Sequence, residues 1–133
     1  MKLTSRSEYA MLALVHLGRQ KGNEFVPVET IARAQGIPPK FLEQILLALK
    51  RAKFVRSSKG QRGGYQLAKP ADEITLAEIV RQCDGALAPT ECVSEHFYEP
   101  TPIEKEAKLV KLFRGIRDYV ADKLEATTIG DVL

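Results

Sequence analysis

The sequence predicts a mainly α-helical fold with a small β-ribbon and one long C-terminal helix, on three observations. Between Pro27 and Leu67 two helical periodicities flank Gly36, and a glycine-rich turn, "SKGQRG", follows between two short strand-like segments. Six basic residues (Lys50, Arg51, Lys53, Arg56, Lys59 and Arg62) fall within thirteen positions of that region, with no acid among them. From Thr101 onward a helical pattern continues to about Ala126. Together these describe a winged helix-turn-helix followed by a helix longer than one small core needs.

The first helix starts near a capping-box spacing, Ser5 and Glu8. Tyr9, Leu12, Ala13 and His16 line one face, and Gly18 lies near its end. In this reading Arg6 sits before the first turn, where free N–H groups also suit a phosphate. Glu8 has the plain role of N3 partner, and His16 that of a core-edge histidine. Gly22 and Asn23 make a turn, and "EFVPV" has the composition of a short extra strand.

The second helix spans roughly Val28 to Gln35, with Ile31 and Ala34 inward, and Gly36 stops it. Pro38 and Pro39 begin the third, because proline costs no hydrogen bond in a first turn. Phe41, Leu42, Ile45, Leu46 and Leu49 form its buried stripe, while Lys40, Glu43, Gln44, Leu47 and Arg51 face outward. That division suits a recognition helix, whose polar side chains must reach base edges.

Phe54–Ser57 and Gly64–Leu67 read as the two strands of a wing. A nucleotide-binding loop is the enzymatic alternative, but the Gly-Lys-Ser/Thr ending is absent and no helix follows. Lys59, Gln61 and Arg62 at the tip are placed for a minor groove or flanking phosphates. The DNA-facing candidates are therefore Arg6, Tyr9, Pro38, Lys40, Phe41, Glu43, Gln44, Arg51, Lys59, Gln61, Arg62 and Tyr65.

A fourth helix opens on a capping box (Thr75, Glu78) and a hydrophobic staple (Ile74, Ile79), and ends at Gly85. Its stripe is Leu76, Ile79, Val80 and Cys83, which makes Cys83 a small core residue. Residues 85–100 carry no periodicity and read as a loop. Thr101 and Glu104 repeat the capping-box spacing, with Pro102 at the first helical position. The last helix then presents Leu109, Phe113, Ile116, Val120 and Leu124 as its main apolar row, widened by Val110 and Leu112. Arg114 and Asp118 offer an outward i, i+4 pair. A homodimer interface is the expected use of that row. The organisation expected is 1–84 for DNA binding, 85–100 as connecting and sensing loop, and 101–133 for dimerisation and tail.

Charge supports the division. Residues 1–69 carry 13 Lys and Arg against 4 Asp and Glu, a net of +9 hidden inside the whole chain's +3; residues 70–133 carry −6. A basic half beside an acidic one fits one nucleic-acid-facing part and one that faces something else. No apolar run is long enough to span a membrane, the N-terminus lacks an apolar signal core, and two cysteines make no disulfide framework. A cytoplasmic protein is expected, with no membrane partner.

"MKLTSRSEYAMLAL", "IARAQGIPPKFLEQIL", "KGQRGGYQLAKPADEITLAEIV" and "TTIGDV" together make the chain resemble the Rrf2 family of bacterial winged-helix transcription regulators. Tyr9, the Leu42-Glu43-Gln44 triplet and Gly63-Gly64-Tyr65 are its most telling pieces, and the resemblance covers nearly the whole chain. It implies a homodimer whose long C-terminal helices cross and whose two winged helices read a pseudo-palindromic promoter in double-stranded DNA. By that pattern Pro38, Lys40, Glu43 and Gln44 fall on the recognition helix, Lys59, Gln61 and Arg62 on the wing, and Arg6 and Tyr9 near the backbone.

Many members of the family hold an iron–sulfur cluster on three cysteines in the loop before the long helix. Here Cys92 matches the first, and the rest of "CVSEHFYEPTP" supplies no other. An atypical 2Fe-2S site would have to draw on Cys92 with His96 or Glu95, or with Glu8 of a partner, a short ligand count. No cofactor is expected. Cys92 and His96 remain the sensor candidates, and a regulatory protein, a small-molecule effector or thiol oxidation the candidate signals.

The resemblance gives the expected function: a dimeric repressor of iron–sulfur, cysteine or redox-stress genes. Two alternatives stand beside it: a winged-helix protein-interaction module without specific DNA binding, and a cluster-sensing regulator with atypical ligands. An enzyme using Cys92 and His96 ranks last, since no orienting third group is in view.

Overall fold

The computed structural model describes residues 2–133. Its helices are α1 (Ser5–Arg19), α2 (Val28–Gln35), α3 (Pro39–Arg51), α4 (Leu76–Cys83) and α5 (Ala107–Glu125). An antiparallel ribbon of β1 (Val55–Ser58) and β2 (Gly64–Leu67) lies between α3 and α4, with Val55 opposite Leu67 and Ser58 opposite Gly64.

One apolar core joins α1, α2, α3, the ribbon base, α4 and the C-terminal tail. Leu14, Ile31, Leu42, Leu46, Ile74, Ile79 and Ile129 are fully buried in it. α4 packs on α1, and α5 on α4. Ala77, Val80 and Leu87 form a second, smaller cluster with Leu3, Ala121 and Leu124 against it.

Local signals that end within their own segment are met closely. Gly36 stops α2 in the left-handed conformation (φ 67°), and its N–H donates to the Ala32 carbonyl. The Thr75–Glu78 capping box of α4 forms with both bonds, and Ile74 and Ile79 are both buried. "EFVPV" supplies only one ladder position: Val26 and Tyr65 exchange two backbone hydrogen bonds of 2.8 Å.

Several expectations are corrected. α1 is capped by Thr4, whose hydroxyl accepts from the Ser7 N–H, so Ser5 and Arg6 already lie inside the helix and Glu8 is not the N3 partner. Its buried face is Ser7, Ala10, Ala13, Leu14 and Leu17; Tyr9 and His16 are half-buried and Leu12 is exposed. In α2 the inward residue beside Ile31 is Ala32, and Ala34 faces solvent. The first wing strand begins at Val55, one residue later than its composition suggests. In α4 Cys83 is only half-buried, and Ala77 takes a core position instead.

The helix expected from Thr101 is broken. Pro102–Lys105 form a 3₁₀ turn, Glu106 is extended (φ −109°, ψ 92°), and α5 begins only at Ala107. The Thr101 side chain makes no cap bond, and its hydroxyl is buried without a partner. The 19 residues of α5 span about 28 Å. Asp118 bonds Arg117 rather than Arg114.

The tail returns to the core. Thr127 accepts from the Leu76 N–H at 2.9 Å, and Ile129 donates to the Ile74 carbonyl at 2.8 Å. Thr128 and Asp131 cap a final 3₁₀ turn, Ile129–Val132. Gly18 on α1 leaves the room that Leu133 occupies: a Cβ there would lie 2.9 Å from Leu133 Cδ2.

Candidate nucleic-acid interface

α3 is amphipathic because its two sides have different work. Leu42, Ile45, Leu46 and Leu49 enter the core, and Lys40, Glu43, Gln44, Leu47 and Arg51 stand in solvent. Pro38 precedes the helix as an exposed N-cap without side-chain bonding, and Pro39 opens it. Phe41 departs from the buried stripe: it is 37% exposed. It meets the half-buried Tyr9 of α1 edge-to-face, with ring centroids 5.5 Å apart at 81°. Tyr9 and Phe41 thus join the start of α1 to the start of α3 on one surface.

The wing is fixed by its glycines and by one polar relay. Gly64 has φ 148°, and a Cβ there would lie 2.2 Å from the Val26 carbonyl oxygen. Only glycine allows that approach. Arg56 Nε donates to Gln66 Oε1 at 2.7 Å, and Gln66 Nε2 donates to the Asn23 carbonyl at 2.8 Å. The ribbon is thereby tied to the α1–α2 turn. Lys59, Gln61 and Arg62 project from its tip into solvent. Among the described residues, Lys40, Arg51, Lys59 and Arg62 are in no salt bridge, so their charge is free for phosphate.

Tyr65 links wing and recognition helix. Burial pushes its hydroxyl pKa up, and the nearby Glu43 carboxylate adds to that rise. Glu43 is therefore an acid on the outward face of α3, close to Tyr65 of β2.

Arg6 is exposed on the first turn of α1, beside a cluster that sequence reasoning missed. The Thr4 hydroxyl and N–H both donate to Asp84, at 2.5 and 3.3 Å. Partial burial alone would raise the Asp84 pKa. The two bonds from Thr4 and the charge of Arg6 outweigh it and hold the carboxyl below its ordinary value. Burial raises the neighbouring Cys83 thiol, against a smaller opposing pull from Arg6. No signal within eighty positions of Thr4 announces Asp84; only the packing of α4 on α1 does.

The sensor candidates are placed differently from each other. Cys92 sits in a 3₁₀ turn, Glu91–Val93, and is buried, with its sulfur 3.9 Å from the Thr90 hydroxyl. A sensor thiol at this position is therefore shielded from solvent. His96 is exposed, as is Glu8 on α1. Among the described residues, no three His, Cys, Asp and Glu side chains are grouped to hold a metal ion. Cys92, His96 and Glu8 thus form no site within one protomer, and the donor set does not fit a 2Fe-2S cluster.

On α5 the expected apolar row divides. Phe113, Val120 and Leu124 are half-buried. Leu109 and Ile116 stay exposed, and Leu112 and Tyr119, at 55% and 73%, extend them into one solvent-facing row. No residue of α5 is fully buried. No helix among the described residues is long and apolar enough to cross a membrane.

The family model for Rrf2, described as an iron-dependent transcriptional regulator, matches residues 3–133. The chain belongs to the Rrf2 family. It is 30% identical over 135 residues to the HTH-type transcriptional regulator IscR of Cereibacter sphaeroides, covering 100% of this chain and 87% of that one. CymR of Bacillus subtilis, also an HTH-type transcriptional regulator, is 29% identical over 132 residues, covering 99% and 89%. The solved structure of CymR, the global cysteine regulator of B. subtilis, superposes with a TM-score of 0.80 at 28% identity, covering 99% and 95%. This Rrf2 chain is accordingly a winged-helix, DNA-binding transcriptional regulator and not an enzyme.

Proposed function

We propose that this Rrf2 chain acts as a cytoplasmic homodimeric repressor that reads a pseudo-palindromic promoter and controls genes of cysteine, iron–sulfur or redox-stress metabolism. The observation that carries the dimer is the row Leu109, Leu112, Ile116 and Tyr119, exposed along one face of α5. Such a row on a helix with no buried residue calls for a second copy of itself. Two-fold pairing through α5 would set two recognition helices against two half-sites of an inverted repeat. Residues 1–84 then read DNA, 101–133 pair the protomers, and 85–100 carry the response to a regulatory protein or small effector.

Within each half, Arg6, Tyr9, Arg51, Lys59 and Arg62 supply contacts to phosphate and sugar that fix register. Lys40, Glu43 and Gln44 read base edges, and Pro38, Phe41, Gln61 and Tyr65 shape the surface around them. The regulon follows the printed role of CymR as a cysteine regulator.

Selection of duplexes from a randomised library, with sedimentation of the free protein, tests this reading. A dimer that enriches inverted repeats is expected. Replacing Leu112 and Tyr119 together by Glu should give a folded monomer that no longer prefers two half-sites. A wild-type monomer that enriches single half-sites would contradict the proposal.

A further inference from the structure

The family model is described as iron-dependent, yet this chain brings one buried thiol to the loop where relatives would hold a cluster. Cys92 is 8% exposed, and the other cysteine, Cys83, lies at the end of α4 beside Ser7, Arg6 and Asp84. A cluster needs four ligands, usually thiolates, and the grouping for even three is missing among the described residues.

Something else fastens the loop. Arg117 of α5 is only 14% exposed in its side chain, unusually low for a cation on a surface helix. One of its terminal nitrogens donates to the Val93 carbonyl at 2.7 Å. The other lies 3.8 Å from Glu95 Oε1, and Nε donates to Asp118 Oδ1 at 2.9 Å. A guanidinium is planar with five fixed N–H donors, so one side chain can hold a loop carbonyl, a loop acid and an acid of its own helix together. Nearby, Arg81 of α4 pairs with Glu125 of α5 at 2.5 Å. Arg81 and Arg117 both line the small cavity formed with Gly85, Leu87 and Ser94.

We propose that Arg117 is a positioning residue that clamps loop 85–100 to α5, and that this clamp makes DNA binding by this chain independent of iron. The inference rests on the DNA-binding dimer proposed above. The clamped loop begins just after Asp84, which holds Thr4 at the head of α1 beside Arg6 and Tyr9. Its middle, at Val93 and Glu95, is held by the helix that carries the exposed apolar row. Loop order is supplied here by a charge-assisted hydrogen bond to Val93 and an ion pair with Glu95.

The experiment uses wild type, Arg117→Met and Cys92→Ala, purified without oxygen from iron-replete cells. Iron content, hydrogen exchange of residues 91–99, and affinity for a duplex selected by wild type are measured, the last with and without an iron chelator. Wild type should hold no stoichiometric iron, and neither chelator nor Cys92→Ala should move affinity by more than about twofold. Arg117→Met should speed exchange in 91–99 by about tenfold or more and weaken the duplex by about tenfold, the scale of a lost charged hydrogen bond. If that variant does not fold, Arg117→Lys, which keeps the charge and loses the fork, should show the same pattern in smaller measure.

Stoichiometric iron, or affinity lost to the chelator, would overturn iron independence. Unchanged exchange in both Arg117 variants would overturn the clamp. Failure to enrich any duplex would overturn the DNA-reading dimer and the affinity half of the inference, while the exchange result would still decide the clamp.

Discussion

The Thr4 hydroxyl donates to the Asp84 carboxylate at 2.5 Å across 80 positions of sequence. The N-cap of α1 is thus held by the residue that ends α4. The same hydroxyl accepts from the Ser7 N–H at 3.3 Å, so one oxygen serves as helix cap and as donor to an anion. A carboxylate there also complements the positive end of α1.

The lowered pKa of Asp84 fixes the sign of its pH dependence. Its folded pKa lies below the unfolded value, so its stabilisation is present above about pH 4 and is lost as pH falls through the folded pKa. Asp84→Asn should be less stable than wild type at pH 7, and the gap should shrink steadily below pH 4. Urea unfolding at both pH values checks this; a gap that stays constant with pH would argue against the carboxylate's role.

Gly64 sets the wing. With φ 148° and the Val26 carbonyl where its Cβ would be, Gly64→Ala must shift the ribbon or break the Val26–Tyr65 bridge. A loss of about 1–3 kcal/mol is expected from the strained backbone, read by thermal or urea unfolding. Gly22→Ala is a useful comparison, because it has a positive φ but open space around it, and should cost less.

In the proposed reading Glu43 faces DNA as an acid close to Tyr65. An acid there repels phosphate and accepts from a cytosine amino group, so it selects more than it strengthens. Glu43→Ala should bind at least as tightly as wild type and broaden the half-sites recovered from a randomised library. An unchanged set of enriched sequences would remove Glu43 from the reading residues.

The parts of this fold legible in the sequence are those whose cause is local. α2 and β2 lie where read because Gly36 and Gly64 mark their ends, and α4 because its capping box closes on itself. The start of α1 slipped by one residue because Thr4 and Ser5 are both good caps, and the choice belongs to Asp84. The burial of Cys92 is not legible in a loop without periodicity, because it comes with Leu87 and Val93 packed inward on the same loop. The exposed row on α5 was half read, since helical phase is decided by what α4 and the loop cover. Outward polar residues on α3 and at the wing tip were read directly, because binary pattern alone separates them from the core. Phe41 broke that pattern by pairing with Tyr9 outside the core.

We propose that the recognition helix and wing form an electrostatic reading surface for DNA. The most direct measurement is the dependence of duplex affinity on salt concentration, for wild type and for Arg62→Ala. Counterion release predicts a linear fall of log affinity with log salt, with a slope steeper than about −4 for a dimer, and a slope reduced by roughly one for each phosphate contact removed. A flat salt dependence in wild type would contradict the account, and the winged helix would then be a surface for protein rather than for DNA.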